Sequence, residues 1–111
     1  MELYKEYLEE ACGLSLKDTK DYFYTYKINE KDVYLQDVYI KKESRNKGLI
    51  DDIFSQVYEI AKKEGKGLVT TSVCKNIKED NKNRSSHIVN KRGYIEYESD
   101  EYMIYYYKEI I

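Results

Sequence analysis

Proline and tryptophan are absent from this 111-residue chain, and cysteine, phenylalanine and histidine are scarce, at two, two and one. Each scarcity closes off a class of protein. Cys12 and Cys74 cannot build a disulfide framework, and neither stands at a metal-ligand spacing. With His87 as the single histidine, a His/Cys zinc centre lacks ligands, so the two cysteines read as ordinary thiols of a reducing compartment. No apolar run approaches the roughly 18 residues that a membrane span requires. The opening Met1-Glu2-Leu3-Tyr4-Lys5-Glu6 is acidic and lacks the apolar stretch of a secretory signal. The expectation is a soluble, cytoplasmic protein with no membrane partner. Its length suits one compact domain and excludes a two-domain enzyme or a long repeat array.

What is present is globular in kind: 41% hydrophobic and 36% charged, with 14 tyrosines standing in for phenylalanine in the core. The net charge of −2 excludes a general nucleic-acid binder, which is normally basic overall. The charge is unevenly spread. Residues 1–38 hold nine acids and five bases, and residues 93–111 hold five acids and one base. Between them lie two basic islands, four bases against one acid at 41–47 and six against two at 75–92. If the islands meet in space, they form an anion site.

Periodicity sets the elements. Tyr4, Tyr7, Leu8 and Ala11 predict a helix over 2–12 ended near Gly13. Tyr22 to Ile28 and Val33 to Lys41 predict an antiparallel strand pair across a polar turn. Leu49, Ile50, Ile53, Phe54, Val57, Tyr58 and Ala61 mark the clearest helix, from about Gly48 to Glu64, stopped by Gly65-Lys66-Gly67. A buried strand follows at Leu68–Val73, then a weaker helix over Asp80–Asn90 and two closing strands at Tyr94–Tyr97 and Met103–Tyr107. The strand–helix–strand unit at 33–73 implies a parallel pair with a right-handed crossover. The expected architecture is a mixed α/β sheet of five or so strands.

The chemistry concentrates in Val38-Tyr39-Ile40-Lys41-Lys42-Glu43-Ser44-Arg45-Asn46-Lys47-Gly48-Leu49-Ile50. A strand ends, a short basic loop follows, and a strongly amphipathic helix begins. Free backbone N–H groups and the positive end of the helix dipole then point into the loop, an arrangement that binds phosphate. Gly48 permits close approach, and Arg45 and Lys47 add positive charge.

This segment resembles the cofactor loop of the acyl-CoA N-acyltransferase, or GNAT, superfamily, which reads Arg/Gln-x-x-Gly-x-Gly/Ala. Arg45-Asn46-Lys47-Gly48-Leu49-Ile50 matches four of those six positions well or conservatively. Glu43-Ser44-Arg45 is similar to the family's approach to the loop. Lys82-Asn83-Arg84-Ser85-Ser86-His87-Ile88-Val89-Asn90-Lys91-Arg92-Gly93-Tyr94 is similar to its signature Asn-x-x-Ala-x-x-Leu-Tyr-x-Lys-x-Gly-Phe. The resemblance covers roughly residues 22–107. It implies one GNAT-like domain over 1–111 with a shortened N-terminal strand and helix region. The implied sheet is mostly antiparallel with one splayed parallel pair. It also implies acetyl-CoA as cosubstrate and an amine acceptor on a small molecule or a protein lysine.

On that resemblance the pyrophosphate would sit on the backbone of Asn46, Lys47, Gly48, Leu49 and Ile50, beside Arg45. The pantetheine arm would pair along the strand edge at Val38, Ile40 and Lys42, and Lys82 would join the phosphates. Asp37, on the same strand, is the candidate proton acceptor. Two departures stand out: Ile50 replaces the loop's last Gly/Ala, and Val89 replaces the tyrosine that can protonate the leaving thiolate. Tyr105 and Tyr106 are candidate substitutes, while His87 reads as a surface residue and Cys74 as a thiol beside a buried strand. The alternative implied by the departures is a catalytically weak or inactive GNAT-fold module that binds CoA or a protein partner. Exposed strand edges in a chain this short would suit a homodimer.

Overall fold

Alternation decides which way each strand faces, because residues i and i+2 share one side of a sheet. Tyr22, Tyr24 and Tyr26 of β2 (Tyr22–Ile28) therefore line up, and Val33 and Leu35 of β3 (Asp32–Ile40) continue their surface. Over it lies α2 (Leu49–Lys63), whose Ile53, Val57 and Ala61 recur at helical spacing and are fully buried against Val33, Leu35 and Val69. The computed structural model describes residues 2–76 and 79–111, the side chains of 79–82 excepted. Before β2 come α1 (Glu2–Tyr7), a wide π turn at Leu8–Cys12, and β1 (Ser15–Asp18). A 3-10 turn at Lys42–Ser44 leads from β3 to α2, and after α2 come β4 (Leu68–Cys74), α3 (Glu79–Lys91), β5 (Ile95–Ser99) and β6 (Met103–Glu109).

The strands form one sheet in the order β1-β2-β3-β4-β6-β5, parallel at β3–β4 and antiparallel elsewhere. This is the mixed α/β sheet with one parallel pair that the pattern predicts, mostly antiparallel as the resemblance implies. α3 shares the α2 side: Val89 joins the core with Val73 and Tyr106, and Arg92 meets Asp51 of α2 at 2.8 Å. The opposite side carries a second, smaller cluster of Leu8, Leu14, Leu16 and Phe23. α2 stops where Gly65, at φ 70°, lets the Lys66 N–H return to the Ala61 carbonyl at 2.9 Å.

Three expectations need correction. The sheet has six strands, because Ser15-Leu16-Lys17-Asp18 pairs with β2. With one apolar residue in four, it carries no period to recognise, and only pairing makes it a strand. The helix over 2–12 is α-helical only to Tyr7, and of its apolar face Leu8 alone is buried. Tyr4 and Tyr7 stay exposed and stack on each other, with ring centroids 6.3 Å apart. The strand expected at Tyr94–Tyr97 starts one residue later, since Tyr94 turns into the core beside Phe54.

Candidate functional site: a basic loop beside two parted strands

The parallel pair holds together for only four rungs. Asp32 to Leu35 face Leu68 to Thr71, and beyond Leu35 the two strands part. The cause lies in β3 itself. Tyr26 faces Leu35, but the next residue back, Thr25, faces Asp37, so Gln36 is an extra residue bulged out of the β2–β3 ladder. A bulge bends its strand and increases local twist, and this one begins immediately after the last β3–β4 rung. From Thr71 to Cys74, β4 remains paired with β6, so a notch opens between β4 and the end of β3.

On its β3 side the notch presents backbone groups that the β2 ladder does not use. Tyr22 spends its N–H on the Thr19 hydroxyl, at 3.1 Å, and its carbonyl on the Thr19 N–H, at 2.8 Å. Its register partner Ile40 therefore turns its backbone groups away from β2, and alternation gives Val38 the same direction. Val38 and Ile40 thus offer an edge to an extended ligand. Arg45 already uses part of it, donating from Nε to the Ile40 carbonyl at 2.9 Å while its guanidinium rests over the Tyr39 ring at 5.6 Å. That contact places Arg45 on the notch edge as well as in the loop.

Past Ile40 the loop is pinned at one point. Ser44 is buried and donates to the Asp21 carboxylate at 2.9 Å, while Lys41 pairs with the same carboxylate at 3.5 Å. The Ser44 hydrogen bond, with Lys41 beside it, holds the Asp21 carboxyl below its ordinary value. Arg45, Asn46, Lys47 and Gly48 are exposed, and Lys42 with them. Asn46 (φ 62°) and Gly48 (φ 79°) both take left-handed backbone, and no side chain caps the start of α2. The first-turn N–H groups are thus left without a side-chain acceptor among the described residues, and a Cβ at Gly48 would meet nothing within 4 Å. Asp51 and Asp52 oppose an anion there, but Asp51 is neutralised by Arg92. Leu49 and Ile50 are half-buried; the Ile50 side chain is neither in the core nor fully exposed.

Asp37 projects from the side of the sheet opposite α2. Thr25, itself buried, donates from Oγ1 to its carboxylate at 3.1 Å and accepts its backbone N–H at the same distance. Val89 is buried in the core, so that position presents no proton donor. Tyr106, register partner of Thr71, places its hydroxyl 3.2 Å from Ser86 Oγ, one helical turn before Val89. Thr71 also donates to the Leu35 carbonyl at 2.9 Å, so the Tyr106 rung is the rung at which β3 and β4 part. Tyr105 points the other way and donates to Asp100 at 3.1 Å. His87 is exposed, and the Lys82 side chain lies outside the described residues. Of the second basic island, Arg92 reaches the first turn of α2, while Lys75 turns to the Asp100 carbonyl. Sequence reasoning missed the Asp21 anchor, the Gln36 bulge and the Ser86 partner; each depends on register, and no local pattern signals it.

No protein-family model matches the chain, and no curated protein matches it. Solved structures do. A putative GNAT-family acetyltransferase from Desulfovibrio desulfuricans superposes with a TM-score of 0.74 at 17% identity, over 99% of this chain and 78% of that one. A Bacillus subtilis acetyltransferase in complex with CoA gives 0.71 at 16%, over 99% and 84%. The PaiA N-acetyltransferase of Thermoplasma acidophilum, also in complex with coenzyme A, gives 0.70 at 19%, over 80% of this chain and 53% of that one. This chain thus spans about half the length of the Thermoplasma protein. The fold is the GNAT fold.

Proposed function

We propose that this protein is a GNAT-type N-acyltransferase that takes acetyl-CoA as cosubstrate and an amine as acceptor. The observation that carries the reading is the notch between β3 and β4, opening beside an uncapped, basic start of α2. An extended ligand with a phosphate end fits both parts: its anionic end suits the N–H groups from Asn46 to Ile50 with Lys47 and Lys42, and its arm suits the edge at Val38 and Ile40. Arg45 would exchange the Ile40 carbonyl for the ligand's phosphates as the arm takes that edge. Lys82 would add charge from α3. The chain would act as a single GNAT-like domain, and a cytoplasmic setting suits its two free thiols.

Bound acetyl-CoA supplies a thioester, whose C–S bond breaks as the acceptor's N–C bond forms and the thiol leaves. Positioning is the chain's main contribution, worth on the order of 7–11 kcal/mol when reactants are well aligned. Asp37, held by Thr25, accepts the amine's proton directly or through a water. Tyr106 takes over the donor role that Val89 cannot fill, its hydroxyl delivered from the sheet instead of from α3. The alternative is a module that binds CoA without turnover, and the burial of Val89 together with the Arg45 contact on Ile40 is what favours it.

Thermal unfolding with and without excess acetyl-CoA tests the reading. Saturation near 100 Kd adds about 2.7 kcal/mol, and Lys47→Glu should remove most of the shift. A shift with thiol release on adding amines supports the transferase; a shift without release across a broad amine panel supports the binding module. No shift at millimolar acetyl-CoA overturns both.

A further inference from the structure

The side of the sheet away from α2 and α3 is open over β4, β6 and β5, and it is lined with tyrosine. Register puts Tyr34, Thr70 and Tyr107 in one row across the strands, and Ser72 with Tyr105 in the next. Tyr97 is the bulged residue of β5, and its ring packs against Tyr105 and Tyr107 at 6.3 and 5.8 Å. Tyr34 and Ser72 share a hydrogen bond of 2.6 Å across the point where β3 and β4 part, so this face reaches the notch. Three carboxylates frame it. Asp32 accepts from Thr70, Glu98 is the register partner of Tyr105, and Asp100 accepts the Tyr105 hydroxyl. Neither Asp32 nor Glu98 has an ion-pair partner among the described residues. Lys27, the register partner of Tyr34, leans toward Gly13 instead.

We propose that this tyrosine face docks a basic, lysine-bearing peptide segment, and that such a peptide is the acceptor. Aromatic faces beside unpaired carboxylates attract alkylammonium groups through both the ring quadrupole and charge. The carboxylates are spread from the start of β3 to the β5–β6 turn, which matches a chain carrying several cations. Two grooves, one of about 630 Å³ lined by Tyr24, Gln56 and Lys17 and one lined by Phe54, Tyr58 and Tyr94, lie on the α2 side and not on this face. An extended surface with carboxylates along its length suits an extended peptide better than a compact small molecule. Partial burial and the neighbouring carboxylates raise the Tyr97 phenol above its ordinary value. The proposal rests on the acetyltransferase reading for the fate of the lysine, but the docking itself does not.

The test uses a capped, labelled peptide of alternating lysine and glycine, titrated into the full chain by fluorescence anisotropy at low and high salt. Binding is expected to weaken with salt. Glu98→Lys and Tyr97→Ala, both at exposed positions, should each weaken it about tenfold, with the acetyl-CoA thermal shift unchanged. A peptide with glutamate in place of lysine should not bind. Equal binding to wild type and both variants overturns the proposal, as does no binding, or a linear triamine binding more tightly than the peptide. Peptide binding that responds to the variants, with no acetyl-CoA shift in wild type, overturns the transferase reading and leaves the docking surface standing.

Discussion

Tyr24 and Tyr106 show one residue type in two settings in a chain this rich in tyrosine. The Tyr24 ring is in the core, and its hydroxyl donates to Gln56 of α2 at 2.7 Å, which then donates to Tyr22 at 3.0 Å. Tyr24→Phe removes one partly buried hydrogen bond and leaves Gln56 short of a donor. A loss of about 1 kcal/mol is expected in urea unfolding. Tyr106 is also buried, but its hydroxyl stands beside Ser86 at the rung where the parallel strands part. Tyr106→Phe is expected to lower kcat by about a hundredfold, the low end for a lost general acid, while acetyl-CoA affinity stays as in wild type. A matching fall in affinity would assign the residue to packing instead. Neither role is legible in the sequence, where Tyr105, Tyr106 and Tyr107 are identical neighbours; alternation on β6 separates them only once β6 is paired with β4.

At the scale of elements, the notch is a consequence of one extra residue. Gln36 interrupts the β2–β3 ladder where the β3–β4 ladder ends. Deleting Gln36 restores regular pairing with β2 and lets β3 continue alongside β4. The expected result is a protein at least as stable as wild type in urea, with no thermal shift from acetyl-CoA. Retention of the shift would mean that the bulge does not shape the ligand edge. The start of α2 behaves differently. Gly48 sits at φ 79° with open space around the missing Cβ, so Gly48→Ala pays for left-handed backbone and not for a clash. A cost of about 1–2 kcal/mol is expected, read as a lower unfolding midpoint.

At the scale of the whole molecule, the titrating groups set a pH window. Asp21 is held low by Ser44 and then by Lys41, and Asp100 by the backbone N–H groups of Tyr102 and Met103. A carboxyl lowered by folding contributes fully above its unfolded value of 3.8, and that contribution is lost as pH falls through the lowered value. At the other end, burial, with Tyr26 and Tyr22 adding to it, pushes the Tyr24 phenol up to about 12, and burial raises Tyr94 as well. A raised phenol contributes below its unfolded value of 10.0 and loses that contribution as pH climbs through the folded one. Urea midpoints measured from pH 2 to 12 should therefore be flat near neutrality and fall below about pH 4 and above about pH 10. Tyr24→Phe should flatten part of the alkaline limb; an unchanged limb would assign it to other groups.

What the sequence determined by itself is local. Helical spacing from Leu49 to Ala61, the β-branched run at Leu68–Val73, and the glycines at 48 and 65 set the α2 boundaries and the parallel pair. The basic loop before α2 is likewise visible as residues in order, because backbone N–H groups at a helix start need no distant partner to point outward. Pairing decided the rest. Leu16 alone could not announce β1, Gln36 is a bulge only relative to Thr25 and Tyr26, and Asp21 anchors the loop only because β2 brings it beside Ser44. The open tyrosine face is of the same kind: period-two alternation assigns sides within a strand, but the fold decides which side the helices cover. Both α2 and α3 cover the same one.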